Sequence, residues 1–391
     1  MPTMMKRGPW PVGSRLTRFY TRWQALTSDP WILSIIREGY RPQFLPHPPA
    51  LSRVPLLTPL RGASKQPLLE AIQTLHTKQA VVRVLDYDRN PGFYSRYFLS
   101  ENKDGSLRPI LNLKGLNEYL VVENFRMETL DSILSALEKG DWMVSLDLKA
   151  AYLHVPVHKD YHKYLRFAYL NDQGVIEVYQ WVVLPFGLST CPRVFTKLLL
   201  PVVRHVHVQG HKLNPYIDDL LGASGSYLGA REGCHLLVDL LLSLGYIINL
   251  KKSQLEPSQD LVHLGARIQT LLGTVSVPRA KAEDLVGRVH RLMGSPFTTA
   301  KALRSAIGKL SACRLMVQWC MYHVRPLQVH LNAYFRPRVD EASMVIPLVG
   351  DTLRDSLQFC FLYPQAIAVV TTDASQEACG AWYRDQTLSA L

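Results

Sequence analysis

Residues 213–223, Leu213-Asn214-Pro215-Tyr216-Ile217-Asp218-Asp219-Leu220-Leu221-Gly222-Ala223, read as strand, tight turn, strand, with two adjacent carboxylates at the tip. Adjacent acids at a hairpin tip repel each other unless a divalent cation neutralises them, which makes this turn a natural seat for Mg²⁺. Alone, an aromatic-x-Asp-Asp string is also what an ordinary surface turn presents. The deciding partner is Leu146-Asp147-Leu148-Lys149-Ala150-Ala151-Tyr152, whose acid lies 71 positions before Asp218. In Trp142 to Leu148, Val144, Leu146 and Leu148 alternate with Met143, Ser145 and Asp147, so Asp147 ends a buried strand on the face opposite the apolar set. Three carboxylates on neighbouring strands of one sheet can hold two metal ions about 3.5–4 Å apart, the arrangement that activates an attacking hydroxyl and stabilises a phosphate leaving group.

Outward from these strands the periodicities predict a mixed chain. Thr129 caps a helix over Met127 to Gly140, with Leu130, Ile133, Leu134 and Leu137 on one face and Gly140 as its stop. Helices are expected over Leu68 to Leu85, Arg193 to Val203 and Gly229 to Leu244, with strands at Tyr246 to Leu250 and Leu261 to Ile268. Tyr94 to Leu99 and Leu107 to Leu113 flank Lys103-Asp104-Gly105-Ser106, an Asp-Gly hairpin signal. Asp29 and Pro30 open a short helix to Gly39, and Pro42 to Pro59 read as a linker or extended arm. From Ala280 to about Gln328 the pattern is helical, broken at Gly294-Ser295-Pro296.

The 391 residues are 47% hydrophobic, enough for two or more cores, and the net charge of +12 points to a polyanionic partner. That charge is concentrated in residues 1–60 (8 basic, 2 acidic) and 279–338 (11 basic, 2 acidic), so basic regions flank a slightly acidic middle. The six cysteines form no C-x-x-C pair, and His205, His207 and His211 read as the face of a Val-rich strand, so no zinc site is assigned. The amino terminus lacks an apolar signal core, and Leu236 to Leu250 is too short to span a bilayer and carries Asp239. A soluble, intracellular chain, cytoplasmic or nuclear and without a membrane partner, is expected.

Taken in order, these blocks resemble the reverse transcriptases. Lys103 to Arg108 with Leu113-Lys114-Gly115-Leu116-Asn117 resembles the fingers hairpin, Asp147 and Tyr152 motif A, and Leu184-Pro185-Phe186-Gly187-Leu188-Ser189 motif B. Tyr216 to Asp219 is similar to motif C, Gly245 to Ser253 to motif D, and Leu261 to Gly265 to the primer-grip strand, a coverage of about residues 60–270. LDLKAAYLHVPV (146–157), LPFGLSTCPRVFTKLL (184–199) and YIDDLL (216–221), together with residues 28–40, look most like the DIRS-type (tyrosine-recombinase) retrotransposons, with gypsy-type elements the nearest rival.

The resemblance implies an α+β right-hand polymerase: a basic extension over 1–60, fingers and palm over 61–270 with an antiparallel sheet backed by helices, and a helical thumb over 271–345. Asp147, Asp218 and Asp219 become ligands of two Mg²⁺ ions, with Mn²⁺ as a substitute and the Leu148 carbonyl as an extra oxygen. Tyr152 lies under the nucleotide sugar and excludes a 2′-hydroxyl, with Phe186 and Gly187 lining the same pocket. Lys103 and Arg108 bind the triphosphate, Lys252 gives a proton to departing pyrophosphate, and Leu264 and Gly265 hold the primer. Ala150 stands where the family often has an acid, a departure that touches the nucleotide pocket and removes no metal ligand. Thr372-Asp373-Ala374-Ser375 resembles the opening strand of ribonuclease H, which makes residues 346–391 the truncated start of a ribonuclease H-like domain, but only 18 residues follow Asp373, so that activity is not expected of this chain. The implied partners are an RNA template, a DNA primer and deoxynucleoside triphosphates. The rivals are a polymerase-like protein that binds RNA without catalysis, which the retained acids oppose, and an RNA-templated RNA polymerase, from which Tyr152 discriminates.

Overall fold

A computed structural model describes residues 10–60, 62–101, 107–337, 339–348, 350–362 and 368–369. The chain divides into two compact units, each assembled from non-consecutive stretches: 1–128 with 144–222 and 231–255, and 129–143 with 223–230 and 256–391.

The first unit holds the two acidic stretches. Most of the sheet ordered Lys212–Tyr216, Asp219–Ser224, Trp142–Asp147, Gln254–Ser258 belongs to it. Val144, Leu146 and Leu148 are almost wholly buried, as the alternation requires, and Met143 on the opposite face is buried too because both faces of this strand are covered. The helix Cys191–Val208 contributes Leu198, Val202 and Val206, spaced by four, to the same core. A second antiparallel sheet orders Val81–Arg83, Ile176–Trp181, Arg166–Leu170, and the hairpin Tyr97–Glu101 with Leu107–Leu111 pairs in the register Tyr97↔Leu111 to Glu101↔Leu107. The hairpin tip, 102–106, lies outside the described residues. The arm after Tyr40 is extended as expected, and it is pinned: the Thr58 N–H donates to the Ala168 carbonyl (2.7 Å), and the Thr58 hydroxyl accepts from the Tyr97 N–H (3.0 Å).

The second unit contains the antiparallel sheet Asp260–His263, Ala266–Gln269, Thr274–Ser276, Ala368–Val369 and the helices Leu130–Ala136, Arg279–Met293, Ala300–Ser311, Cys320–Tyr334 and Asp351–Leu362. The helices over 279–334 bury Leu285, Val289 and Leu292; Leu303, Ile307 and Leu310; and Val324, Leu327 and Leu331. Phe297–Thr299, at the break after Gly294, pairs with Val345–Pro347. No helix among the described residues is long and apolar enough to cross a membrane.

Several local expectations are corrected. The helix expected over Leu68 to Leu85 is Lys65–Thr77, because Gln79 takes a left-handed φ of 55° and the chain then enters Val81–Arg83 as a strand. Thr129 does cap its helix, in a reciprocal box with Ser132, but the helix ends at Ala136 and Leu137 is already extended. Gly140 (φ 91°) therefore serves a later turn rather than the helix stop. The Val-rich run with His205 and His207 is helix, not strand: burial of Val202 and Val206 overrides the β propensity of valine. Tyr246 to Leu250 forms one isolated bridge, Leu148↔Ile248, and no regular strand. Leu261 to Ile268 is a hairpin, turning at Leu264 (φ 47°) and Gly265 (φ 74°). Two successive positive-φ residues make the turn type that suits strand twist, and Leu-Gly is an uncommon pair for it.

Candidate active site

Local sequence places each acid. Trp142–Asp147 runs out at Asp147, and the Leu148 N–H donates to the Asp218 carbonyl at 2.9 Å, so the strand end and the distant hairpin tip lie side by side. Asp219 opens the strand Asp219–Ser224 directly after the tip. Ile217, between the two strands, has φ 55°. A β-branched side chain in that region is strained, and such strain persists where the surroundings fix the backbone. Here both flanking strands and the Leu148–Asp218 hydrogen bond do so.

The carboxylates sense one another. The Asp219 carboxyl is pushed up to about 6, first by burial, then by the charges of Asp218 and Asp147, with the Lys252 ammonium opposing. Among the described residues no three His, Cys, Asp or Glu side chains are gathered into a metal-holding group, and that includes these aspartates. Their backbones are nonetheless brought together, through the bond from the Leu148 N–H to the Asp218 carbonyl. An all-carboxylate donor set with one member already resisting ionisation suits a hard divalent cation, which would lower that resistance.

Tyr152 sits in the short 3₁₀ turn Ala151–His154, which follows Ala150 at φ 55°. Its ring centroid lies 5.4 Å from Phe186 and 5.7 Å from Phe195, so Tyr152 and Phe186 share one aromatic wall. Gly187 has φ 107°, and a Cβ there would stand 2.5 Å from the Leu111 carbonyl oxygen, so glycine is required twice over. Lys252 is exposed, close enough to Asp219 to act on its charge, and its N–H donates to the Asn249 carbonyl (3.0 Å). Arg108 pairs with Ser100 in the hairpin, while its side chain and all of Lys103 lie outside the described residues, as does Asp373. Leu264 and Gly265 form a turn in the second unit, where the Lys281 ammonium donates to the Gly265 carbonyl (3.2 Å).

One positioning group went unrecognised in the sequence. The Asn117 side chain donates to the Gly187 carbonyl (2.9 Å) and accepts from the Ser189 N–H (3.0 Å), clamping the Phe186–Ser189 turn from both ends. The only hint was its place in the block Leu113 to Asn117, since nothing local marks a contact 70 residues away.

Residues 100–268 match the family described as "Reverse transcriptase (RNA-dependent DNA polymerase)". The chain is 28% identical over 180 residues to the "Enzymatic polyprotein" of Soybean chlorotic mottle virus, covering 46% of this chain and 25% of the relative. It is 27% identical over 217 residues to the "Gag-Pol polyprotein" of Rous sarcoma virus subgroup B (strain Schmidt-Ruppin), covering 54% and 13%. Against the "Retrovirus-related Pol polyprotein from transposon opus" of Drosophila melanogaster the identity is 24% over 295 residues, covering 72% and 28%. The chain thus spans between 13% and 28% of the length of these relatives. In fold it is similar to the foamy viral protease-reverse transcriptase dRH in complex with double-stranded DNA (TM-score 0.64, 16% identity, covering 92% of this chain and 62% of that one). The foamy viral enzyme in complex with an RNA/DNA hybrid gives the same TM-score, 0.64, with 16% identity over 83% of this chain and 40% of that one.

Proposed function

We propose that this chain, in which residues 100–268 form a reverse transcriptase domain like those of retroviral and retrotransposon Pol polyproteins, is an RNA-directed DNA polymerase that extends a DNA primer on an RNA or DNA template. The observation that carries this is the hydrogen bond from the Leu148 N–H to the Asp218 carbonyl, which sets the strand-end acid beside the twin-acid tip. Asp147, Asp218 and Asp219 would hold two Mg²⁺ ions, whose chemistry is to lower the pKa of the primer hydroxyl and neutralise charge on the leaving pyrophosphate. Lys252, beside Asp219, donates a proton to that pyrophosphate. Tyr152, backed by Phe186 and Phe195, presents a rigid face to the sugar and leaves no room for a 2′-hydroxyl. The Gly187 backbone approaches the nucleotide, with Lys103 and Arg108 on its triphosphate.

In this account residues 61–270 are fingers and palm, Leu264 and Gly265 touch the primer, and the basic helices over 279–334 act as a thumb that grips phosphates without reading bases. The quoted motif wording favours a DIRS-type element acting in the cytoplasm or nucleus. The test is extension of oligo(dT) on poly(rA) with deoxythymidine triphosphate and Mg²⁺, comparing the chain with Asp218→Asn. Loss of a ligand worth several kcal/mol of transition-state stabilisation should slow extension at least about a hundredfold. Tyr152→Ala should in addition admit ribonucleotides. Equal extension by the chain and its Asp218→Asn variant would refute the proposal.

A further inference from the structure

We propose that His154 is a positioning residue for nucleotide addition: its ring, as the neutral tautomer protonated on Nδ1, staples the turn that carries Tyr152 to the segment that leads to Lys252. The inference rests on the polymerase reading above and adds to it a residue with no metal or substrate contact of its own.

The ring is wholly buried, with its centroid 5.5 Å from that of Tyr246. Nδ1 lies 3.1 Å from the Ala151 carbonyl oxygen, which can only accept, so Nδ1 carries the hydrogen. Nε2 lies 3.2 Å from the Ile247 nitrogen, which can only donate, so Nε2 presents its lone pair. One neutral tautomer satisfies both partners, and an imidazolium could not accept from Ile247. Burial, and then the charge of Arg15, hold the ring in that neutral form, with its titration lowered to about 4. Arg15 is itself fixed beside this segment, its Nε donating to the Gly245 carbonyl at 2.9 Å.

What the staple holds is a ladder too short to be a strand. The Lys149 N–H donates to the Ile247 carbonyl and the Asn249 N–H to the Asp147 carbonyl, both at 2.8 Å. The backbone pairing breaks over residues 250–253 before Gln254–Ser258 pairs with Trp142–Asp147, and side chains close both ends of this short stretch. His154 closes one. Ser253 closes the other, its hydroxyl accepting from the Asp147 N–H (3.0 Å) and donating to the Asn249 carbonyl (2.9 Å), the same carbonyl that receives the Lys252 N–H. Asp147, Tyr152 and Lys252 therefore hang from one frame, and His154 sets how the Tyr152 turn sits on it. Two bonds from one rigid ring fix an angle as well as a distance, which an apolar side chain of the same size could not.

The test compares the full chain with His154→Gln and His154→Asn. Glutamine places an acceptor where Nε2 stands and keeps the Ile247 bond; asparagine reaches only the Nδ1 position and loses it. Hydrogen–deuterium exchange over residues 244–253 should be about tenfold faster at 246–249 in His154→Asn and near that of the parent in His154→Gln. At equal concentrations of titrated active sites, His154→Asn should show a nucleotide KM raised about fivefold and a discrimination against ribonucleotides weakened by a similar factor, the ratio for one net hydrogen bond, with His154→Gln within about twofold of the parent. Unchanged exchange in His154→Asn, or a loss confined to kcat and thermal midpoint with KM and sugar discrimination intact, would overturn the proposal. If the parent chain extends no primer, the polymerase reading fails instead, and the exchange difference still decides whether the staple exists.

Discussion

Two stretches of this protein carry the same sign of charge and use it in opposite ways. Residues 12–40 and the helices over 279–334 are both basic, yet in the first one arginine, Arg15, is a buried structural donor and in the second most of the charges face solvent. Arg15 is 6% exposed and donates to the carbonyls of Gly245 and Trp10, its pKa lowered by burial and then by Arg18. Around it Leu16, Trp23 and Ile36 are fully buried in the core that also contains Leu146 and Leu148, and the Trp23 indole N–H donates to the Leu244 carbonyl (3.1 Å). In the helical region the pairs are exposed and one turn apart, as in Arg279 with Glu283 and Arg288 with Asp284. Composition alone cannot tell a buried arm from a solvated face, because what differs is how many apolar neighbours each charge acquires on folding.

The largest expected effect breaks the first half of that contrast. Trp23→Ala removes a wholly buried indole together with its hydrogen bond and should cost about 3–5 kcal/mol, read as a shift in the urea midpoint. A loss under about 1 kcal/mol would return this stretch to the status of a detachable extension. Acidification should strain both units. His154 in the first and His263 in the second are held neutral down to about 4, both chiefly by burial. An unfolded histidine takes up its proton near pH 6.5, so each contributes stability that is complete above that value and is lost as pH falls from 6.5 toward 4. The loss is of the order of 3 kcal/mol per ring, and it is opposed in part by Asp219, whose raised pKa makes protonation favour the folded state over roughly pH 4 to 6. Urea unfolding at pH 7 and pH 4.5 measures the net; stability rising on acidification would reverse the assignment. Asp29→Ala deletes the cap that accepts from the Trp31 and Ile32 N–H groups and should cost about 1 kcal/mol. The smallest effect is on the solvated side. Asp284→Asn, which loosens exposed pairs with Arg288 and Lys309, should change stability by at most about 0.5 kcal/mol, and less in high salt. A larger effect would show that these helices, too, use charge as structure.

Legibility followed the range of the contacts. The acid-bearing strands, the Thr129 cap, the Asp29 cap and the helices after Ala280 rest on periodicity or on neighbours within a few residues, and they stand where the sequence puts them, save for a second helix break over 312–319 that the sequence reading did not include. The errors arose where local preference and burial disagree: the valine-rich end of Cys191–Val208, the Leu264-Gly265 turn and the bridged segment after Tyr246. The roles of Asn117 and His154 were invisible because an amide or an imidazole has no periodic signature.

By itself the sequence put forward the residues proposed here to carry the chemistry, and their order: Asp147, Tyr152, Phe186-Gly187, Asp218-Asp219 and Lys252. Only the tertiary structure decided what holds them in place. The His154 bond to Ile247 spans 93 residues and the Trp23 bond to Leu244 spans 221. Pairings at such separations are selected by whole-chain packing, in which a buried donor must find its acceptor wherever the fold brings one.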